Sequence, residues 1–380
     1  MGIFKFDEIA FNSTEKKKPV DEDKYTYLGL EHLDSDSIYV TRYGADVAPK
    51  GDKLIMKKGD VLFGKRRAYQ KKVAIAPFDG IFSAHGMVLR PKEDVIDKEF
   101  FPMFIKSDYF LDAAIKISVG SLSPTINWRD LKELKFELPS LEKQRKLAEV
   151  LWAIYDMKDK YKKLILATDE LVKSQFIEMF KKCNREKLGD YILQIRGVSY
   201  KPKDLSEGLK EGFVTLLRAN NIANNVLNFE DVQFVSEGRV SDDQIIREGD
   251  ILICASSGSL EHVGKAALCM PDMEYTFGAF CKLIRPIGKL YPEYIAGYMR
   301  TDAYRNTISD LAQGSNINNL RNEHINDLMI PIPSDEQQRD FIDFQRQSDK
   351  SKFALQEAIK DLDALSKKII AENLIPAGKE

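Results

Sequence analysis

No apolar run in this 380-residue chain approaches 18 residues, which excludes a transmembrane helix of ordinary length. The opening MGIFKFDEIA is acidic and lacks the basic and apolar stretches of a secretory signal. Phe6 stands where an acylation motif needs Ser or Thr. A cytoplasmic protein without membrane attachment is therefore expected. Four cysteines (Cys183, Cys254, Cys269, Cys281) form no C-x-x-C pair and read as reduced, mostly buried thiols. Four histidines (His32, His85, His262, His324) lack metal-ligand spacing. No G-x-G-x-x-G motif follows a strand. Gly258 to Ala266 imitates a phosphate loop, but five residues separate its glycines and Ala266 replaces the magnesium-binding hydroxyl. Glu133-Leu-Lys135 has the E-x-K spacing of some nucleases without an acidic partner before it, and reads as a strand edge. These absences argue against an enzyme, a metal site or a bound cofactor. A net charge of −2 also rules out a simple polycation, so any nucleic-acid surface must be built locally.

What the chain does have is a duplication. Residues 120–145 (GSLSPTINWRDLKELKFELPSLEKQR) recur as 314–339 (GSNINNLRNEHINDLMIPIPSDEQQR), an ungapped offset of 194. Lys58-Gly-Asp-Val-Leu-Phe63 matches Glu248-Gly-Asp-Ile-Leu-Ile253, Arg90-Pro91 matches Arg285-Pro286, and Lys5–Ile9 matches Lys187–Tyr191. The offset drifts because loops change length while strands keep register. Each copy opens with short β-type runs bounded by turn residues, such as Val73–Ala76, Met87–Arg90, Phe213–Leu217 and Lys282–Arg285. A helical stretch follows, Glu99–Ala114 and then Pro292–Ser309. With 43% apolar residues in 380, two domains with real cores are expected.

Each copy closes on a long helix. The spacing predicts a seam through Val150, Ile154, Met157, Tyr161, Leu164, Thr168 and Leu171 in the first. The same register gives Phe344, Ser348, Ser351, Leu355, Ala358, Leu362, Leu365 and Ile369 in the second. Ser334 with Gln337 forms a capping box; Ser140 with Lys143 forms half of one. Matched register and length favour pairing of the helices with each other over separate packing on their own domains. At 1.5 Å per residue each would be roughly 55 Å long.

Between Lys50 and Lys72 nine basic residues face two acidic ones, a local charge of +7. Lys65, Arg66, Arg67, Tyr69, Gln70, Lys71 and Lys72 are the candidates there: Lys and Arg neutralise phosphates, while Arg and Gln can read base edges. A solvated basic hairpin is the plain alternative. The second copy offers Arg218, Asn220 and Asn221 near one turn, and Ser256, Ser257 and Ser259 at the place corresponding to Gly64–Arg67. Gln313–Asn319, with Ser315, Asn316 and Asn318, replaces Val119–Thr125, with Ser121, Ser123 and Thr125. Ordinary Asn/Gly turn chemistry explains any one of these equally well. The functional reading gains because equivalent loops differ most in chemistry.

The segments Val61–Gln70, Gly120–Thr125, Leu138–Arg145 and Asp169–Phe176, with the second Pro-Ser-x-Glu-x-Gln-Arg339, resemble the specificity subunit of Type I restriction–modification systems along essentially the whole chain. The resemblance implies an α+β, pseudo-twofold protein. Its target-recognition domains would span 1–139 and 183–333, and its helices, 140–182 and 334–375, would pair as an antiparallel coiled coil. It further implies double-stranded DNA with two half-sites as target, two docked methyltransferase subunits and, where present, restriction subunits. The methyl donor and ATP-driven nuclease would belong to those partners. Ser256-Ser257 departs from Arg66-Arg67, which puts the second half-site in question but not its role. The rival class is a two-domain, protein-binding coiled-coil adaptor that reads no DNA.

Overall fold

The structure is a computed structural model that describes residues 1–270, 274–312 and 318–374, with only the backbone of Asn318. Contacts group the chain into two units. The first comprises residues 1–162 with the described part of 356–380; the second comprises 163–355.

Each unit contains the same four-stranded antiparallel sheet. In the first the order is Ala10–Ser13, Gly86–Pro91, Val61–Gly64, Val73–Ile75. In the second it is Ile192–Arg196, Cys281–Pro286, Ile251–Cys254, Ala266–Leu268. The interior strands Val61–Gly64 and Ile251–Cys254 are buried at every residue, which explains their unbroken apolar runs. Ahead of each, Gly59 (φ 91°) and Gly249 (φ 84°) take a left-handed turn that favours glycine. Behind the turn Asp60 pairs with Arg90 and Asp250 with Arg285, each through two oxygens at 2.7–2.9 Å.

A second four-stranded sheet departs from the repeat. Both units carry one parallel pair there, Tyr27–Leu28 with Gly80–Phe82 and Phe213–Leu217 with Tyr275–Phe277. The later member of the pair is interior in the first unit; the earlier member is interior in the second. The expected single helical stretches are each broken in two: Phe101–Lys106 and Asp108–Lys116, then Pro292–Tyr298 and Asp302–Ala312. Ser107 and Thr301 cause the breaks. Their side-chain oxygens accept from the Phe110 and Tyr304 N–H groups, and Ser107 is extended as an N-cap must be.

The long helices run Leu141–Phe180 and Asp335–Leu374, 40 residues each. Ser334 and Gln337 exchange both capping-box bonds, while at the first helix the Ser140 hydroxyl accepts from Lys143 N–H, which is half of the box. The repeated glutamines explain the shared motif. Gln144 is buried, accepts from Asp97 N–H and donates to Val95 and Pro139 carbonyls. Gln338 accepts from Tyr291 N–H and donates to Lys289. Each thereby ties the start of a helix to its β-domain.

Each unit also contains the far end of the other helix. Leu374 joins the first core with Ala148 and Leu151, and Lys158 pairs with Asp363. In the second unit Val172, Phe176 and Phe180 pack with Phe341 and Tyr294, and Asp169 pairs with Lys352 at 2.6 Å. Within each unit the two helical segments are antiparallel.

On the first helix the seam is out of phase with the expected one, while on the second most of the expected positions are covered. On the first helix the covered face follows Ala148, Leu151, Tyr155, Lys158, Lys162, Ile165, Asp169, Val172 and Phe176. Val150, Met157, Leu164 (50%) and Leu171 are exposed; Ile154 is buried, and Tyr161 and Thr168 are half-buried. On the second helix Ser348 is buried, while Phe344, Leu355, Ala358, Leu362 and Ile369 are half-buried. Ser351 and Leu365 are exposed, and Gln345, Lys352 and Ser366 hold covered positions instead. The cause is a polar seam. Two lysine–aspartate pairs, Gln345, Ser348 and Ser366 lie in it, so apolar periodicity alone selects the neighbouring stripe.

Candidate nucleic-acid interface

In the first unit the basic loop and the glycine-led loop are knitted by backbone bonds. Arg67 N–H donates to Pro124 (2.8 Å), Ile126 N–H to Lys65 (2.9 Å) and Arg66 N–H to His85 (3.3 Å). This brings Lys65, Arg66 and Arg67 beside Ser123 and Thr125, with Ser121 exposed on the same loop. Tyr69 and Gln70 lie on one 3-10 turn, Ala68–Gln70, flanked by Arg67 (φ 54°) and Lys71 (φ 50°). Non-glycine residues held in left-handed geometry are costly and collect at functional loops. Arg66 and Arg67 are exposed.

Two cations expected in this patch are engaged elsewhere. Lys71 bridges Asp108 and Asp112, both at 2.7 Å. Lys72 donates to the Leu30 carbonyl at 2.6 Å. Both amines meet partners distant in the chain, so proximity in sequence misleads. In exchange, Lys16, Lys53 and His85 join the cluster. Burial and the Lys16 charge hold Lys65 below the usual lysine range. Burial, with Arg66, Lys65 and Lys53, holds the His85 imidazole below its usual value. Only strand pairing assembles these residues, and no local signal marks them.

The second unit repeats this construction with other side chains. Ser256 N–H donates to Phe280 (3.0 Å) as Arg66 does to His85, and Leu320 N–H to Ala255 (2.8 Å) as Ile126 does to Lys65. Ser256 and Ser257 pair with Asn319 and Asn318 across a short antiparallel ladder, the counterpart of the Arg66–Thr125 bridge. Ser259 is exposed beyond it. Ser315 and Asn316 lie outside the described residues. Arg218 pairs with Asp231 (2.8 Å), to which Asn220 also donates (2.9 Å). Asn221 is 1% exposed and spends its amide on Arg218, Asn228 and Asp231 backbone groups. It is a turn residue, not a contact residue, because the turn's own backbone groups consume it.

A β-scaffold presents one loop pair in two chemistries, cationic in the first unit and hydroxylic and aromatic in the second. The sequence matches, over residues 3–167 and 184–362, the family described as the Type I restriction modification DNA specificity domain. The chain belongs to that family. A stretch of 140 residues is 41% identical to the StySPI specificity subunit of Salmonella potsdam, covering 37% of this chain and 30% of that protein. A stretch of 139 residues is 41% identical to the EcoKI specificity subunit of Escherichia coli strain K12, with the same coverage. These matches thus span under a third of the relatives' length. Among solved structures, the S subunit of a type I system from M. genitalium superposes with a TM-score of 0.52 at 13% identity, over 99% of this chain and 96% of that one. A chain from a structure of type I R-M complex assembly gives 0.59 at 18% identity, over 98% and 97%. Both show a common fold.

Proposed function

We propose that this chain is the non-catalytic DNA-reading subunit of a methyltransferase complex, with a bipartite, asymmetric target. Residues 1–139 and 183–333 each read one half-site, and the helices 140–182 and 334–375 dock two methyltransferase subunits and, through them, restriction subunits. The observation that carries this reading is the pair of equivalent loops. Identical backbone bonds hold Arg66 and Ser256 in the same place while the side chains differ, as two different half-sites require. Guanidinium groups suit guanine edges and phosphates; Ser and Asn suit other edges. The exposed residues Val150, Met157, Leu164 and Leu171, spaced by seven along one helix, supply an apolar stripe for the partners. The test is methylome sequencing of cells carrying the chain with its methyltransferase. A two-part, non-palindromic motif whose one half changes on Arg66→Ala is expected. A palindromic or continuous motif would overturn the reading.

A further inference from the structure

Phe280 occupies the place that His85 holds in the first unit, and it is 66% exposed. Its carbonyl accepts from both Ala255 N–H (2.9 Å) and Ser256 N–H (3.0 Å), so its backbone is fixed to the reading loop. Phe280 and Ser256 border two clefts. One, about 650 Å³, is lined by Arg196, Lys282 and Arg321. The other, about 530 Å³, is lined by Tyr200, Arg218, Gln233 and Ser257. The guanidinium end of Arg218 pairs with Asp231 at 2.8 Å. Tyr200 Oη lies 2.9 Å from Gln233 Oε1, which engages only the oxygen of that amide.

We propose that the second unit takes one nucleobase out of the duplex, stacked on Phe280 in the Arg218–Gln233 cleft, with the adjoining phosphate held by Arg196, Lys282 and Arg321. This rests on the DNA-reading function above. The cleft has the size of an ordinary ligand pocket and the usual mixture of apolar walls with a few polar groups. Asn220 and the Arg218 guanidinium end, both engaged with Asp231, and the Gln233 amide put polar groups on the rim where a base edge would lie. An exposed aromatic ring offers a stacking platform to any base. The cations line the neighbouring cleft, which Phe280 also borders, within reach of the phosphate next to a base stacked on that ring. The first unit has the smaller His85 imidazole there, crowded by Lys53, Lys65 and Arg66, so the proposal concerns the second half-site.

The test uses the full chain and duplexes bearing its mapped target, with a single mismatch at each position of the half-site that Arg66→Ala leaves unchanged. A base already unpaired costs less to extrude. One mismatch is expected to tighten binding about tenfold. Phe280→Ala and Phe280→Leu should both abolish that gain, and Phe280→Trp should keep it. Leu retains bulk without a π face, so it separates stacking from packing. The proposal is overturned if no mismatch tightens binding, or if the gain survives in both Phe280→Ala and Phe280→Leu. Failure of the unaltered chain to bind even the matched duplex would instead overturn the DNA-reading function beneath it.

Discussion

Replacing Arg66 by Ala, beside Lys71 by Ala, separates DNA contact from scaffold within five residues of sequence. Arg66 is tied to its neighbours through backbone atoms alone: its N–H to His85 and a bridge to Thr125. Truncating its exposed side chain should therefore move stability by less than about 0.5 kcal/mol. A bidentate guanine contact is worth about 1–3 kcal/mol, or roughly 5- to 150-fold in affinity. If the guanidinium instead meets a phosphate, the slope of log affinity against log salt should fall by about 0.9. Lys71 is the reverse case. Its loss breaks two ion pairs to half-exposed aspartates and leaves Asp108 and Asp112 facing each other. This should cost up to about 1 kcal/mol per pair and leave the salt slope unchanged. Fluorescence anisotropy across a salt series, with thermal melting of both variants, measures all four quantities. The reasoning fails if Arg66→Ala binds normally while Lys71→Ala flattens the salt dependence.

The corrected seam makes Leu151→Ala destabilising by about 2–5 kcal/mol by chemical denaturation. Leu164→Asp should melt normally yet fail to co-purify with methyltransferase; a cooperative loss of folding would return Leu164 to the core. Gln338→Ala removes a buried amide that serves Tyr291 and Lys289, and a loss of about 1–3 kcal/mol is expected in the same assay. Burial and the neighbouring cations hold the His85 imidazole below its usual value in the free protein, and a nearby phosphate would raise it. Binding should then take up protons and strengthen as pH falls, and His85→Gln should flatten that dependence; an unchanged pH profile would place His85 away from the DNA. Inserting four residues after Lys163 in the first helix, about 6 Å of helix, should change the spacer in single-molecule methylation maps and spare both half-sites. A rewritten half-site would exclude a ruler role for the helices.

Much of the scaffold was legible along the chain because its causes are local. Ser334 and Gln337 announce a helix start, and the offset of 194 predicts one construction used twice. The candidate loops were found the same way, by comparing what occupies equivalent places. The errors share one origin. Ser107 and Thr301 have the chemistry of caps, yet each sits inside an apolar stretch that reads as continuous helix. Lys71 belongs to a basic run, yet its partners lie 37 and 41 residues away.

The sequence by itself determined the duplication, the strand and turn order, the two 40-residue helices and the chemical contrast between equivalent loops. Hydrogen bonding and periodicity over a few residues are enough for these. Tertiary structure alone decided which stripe of the first helix is covered, because Lys158 meets Asp363 across 205 residues and Lys352 meets Asp169 across 183. Such pairs turn polar positions into seam positions that no apolar count can find. It also decided that His85 and Phe280 stand at the same point of the two reading loops. Their place is set by antiparallel strands joining residues far apart in the chain, whose register depends on the whole buried sheet.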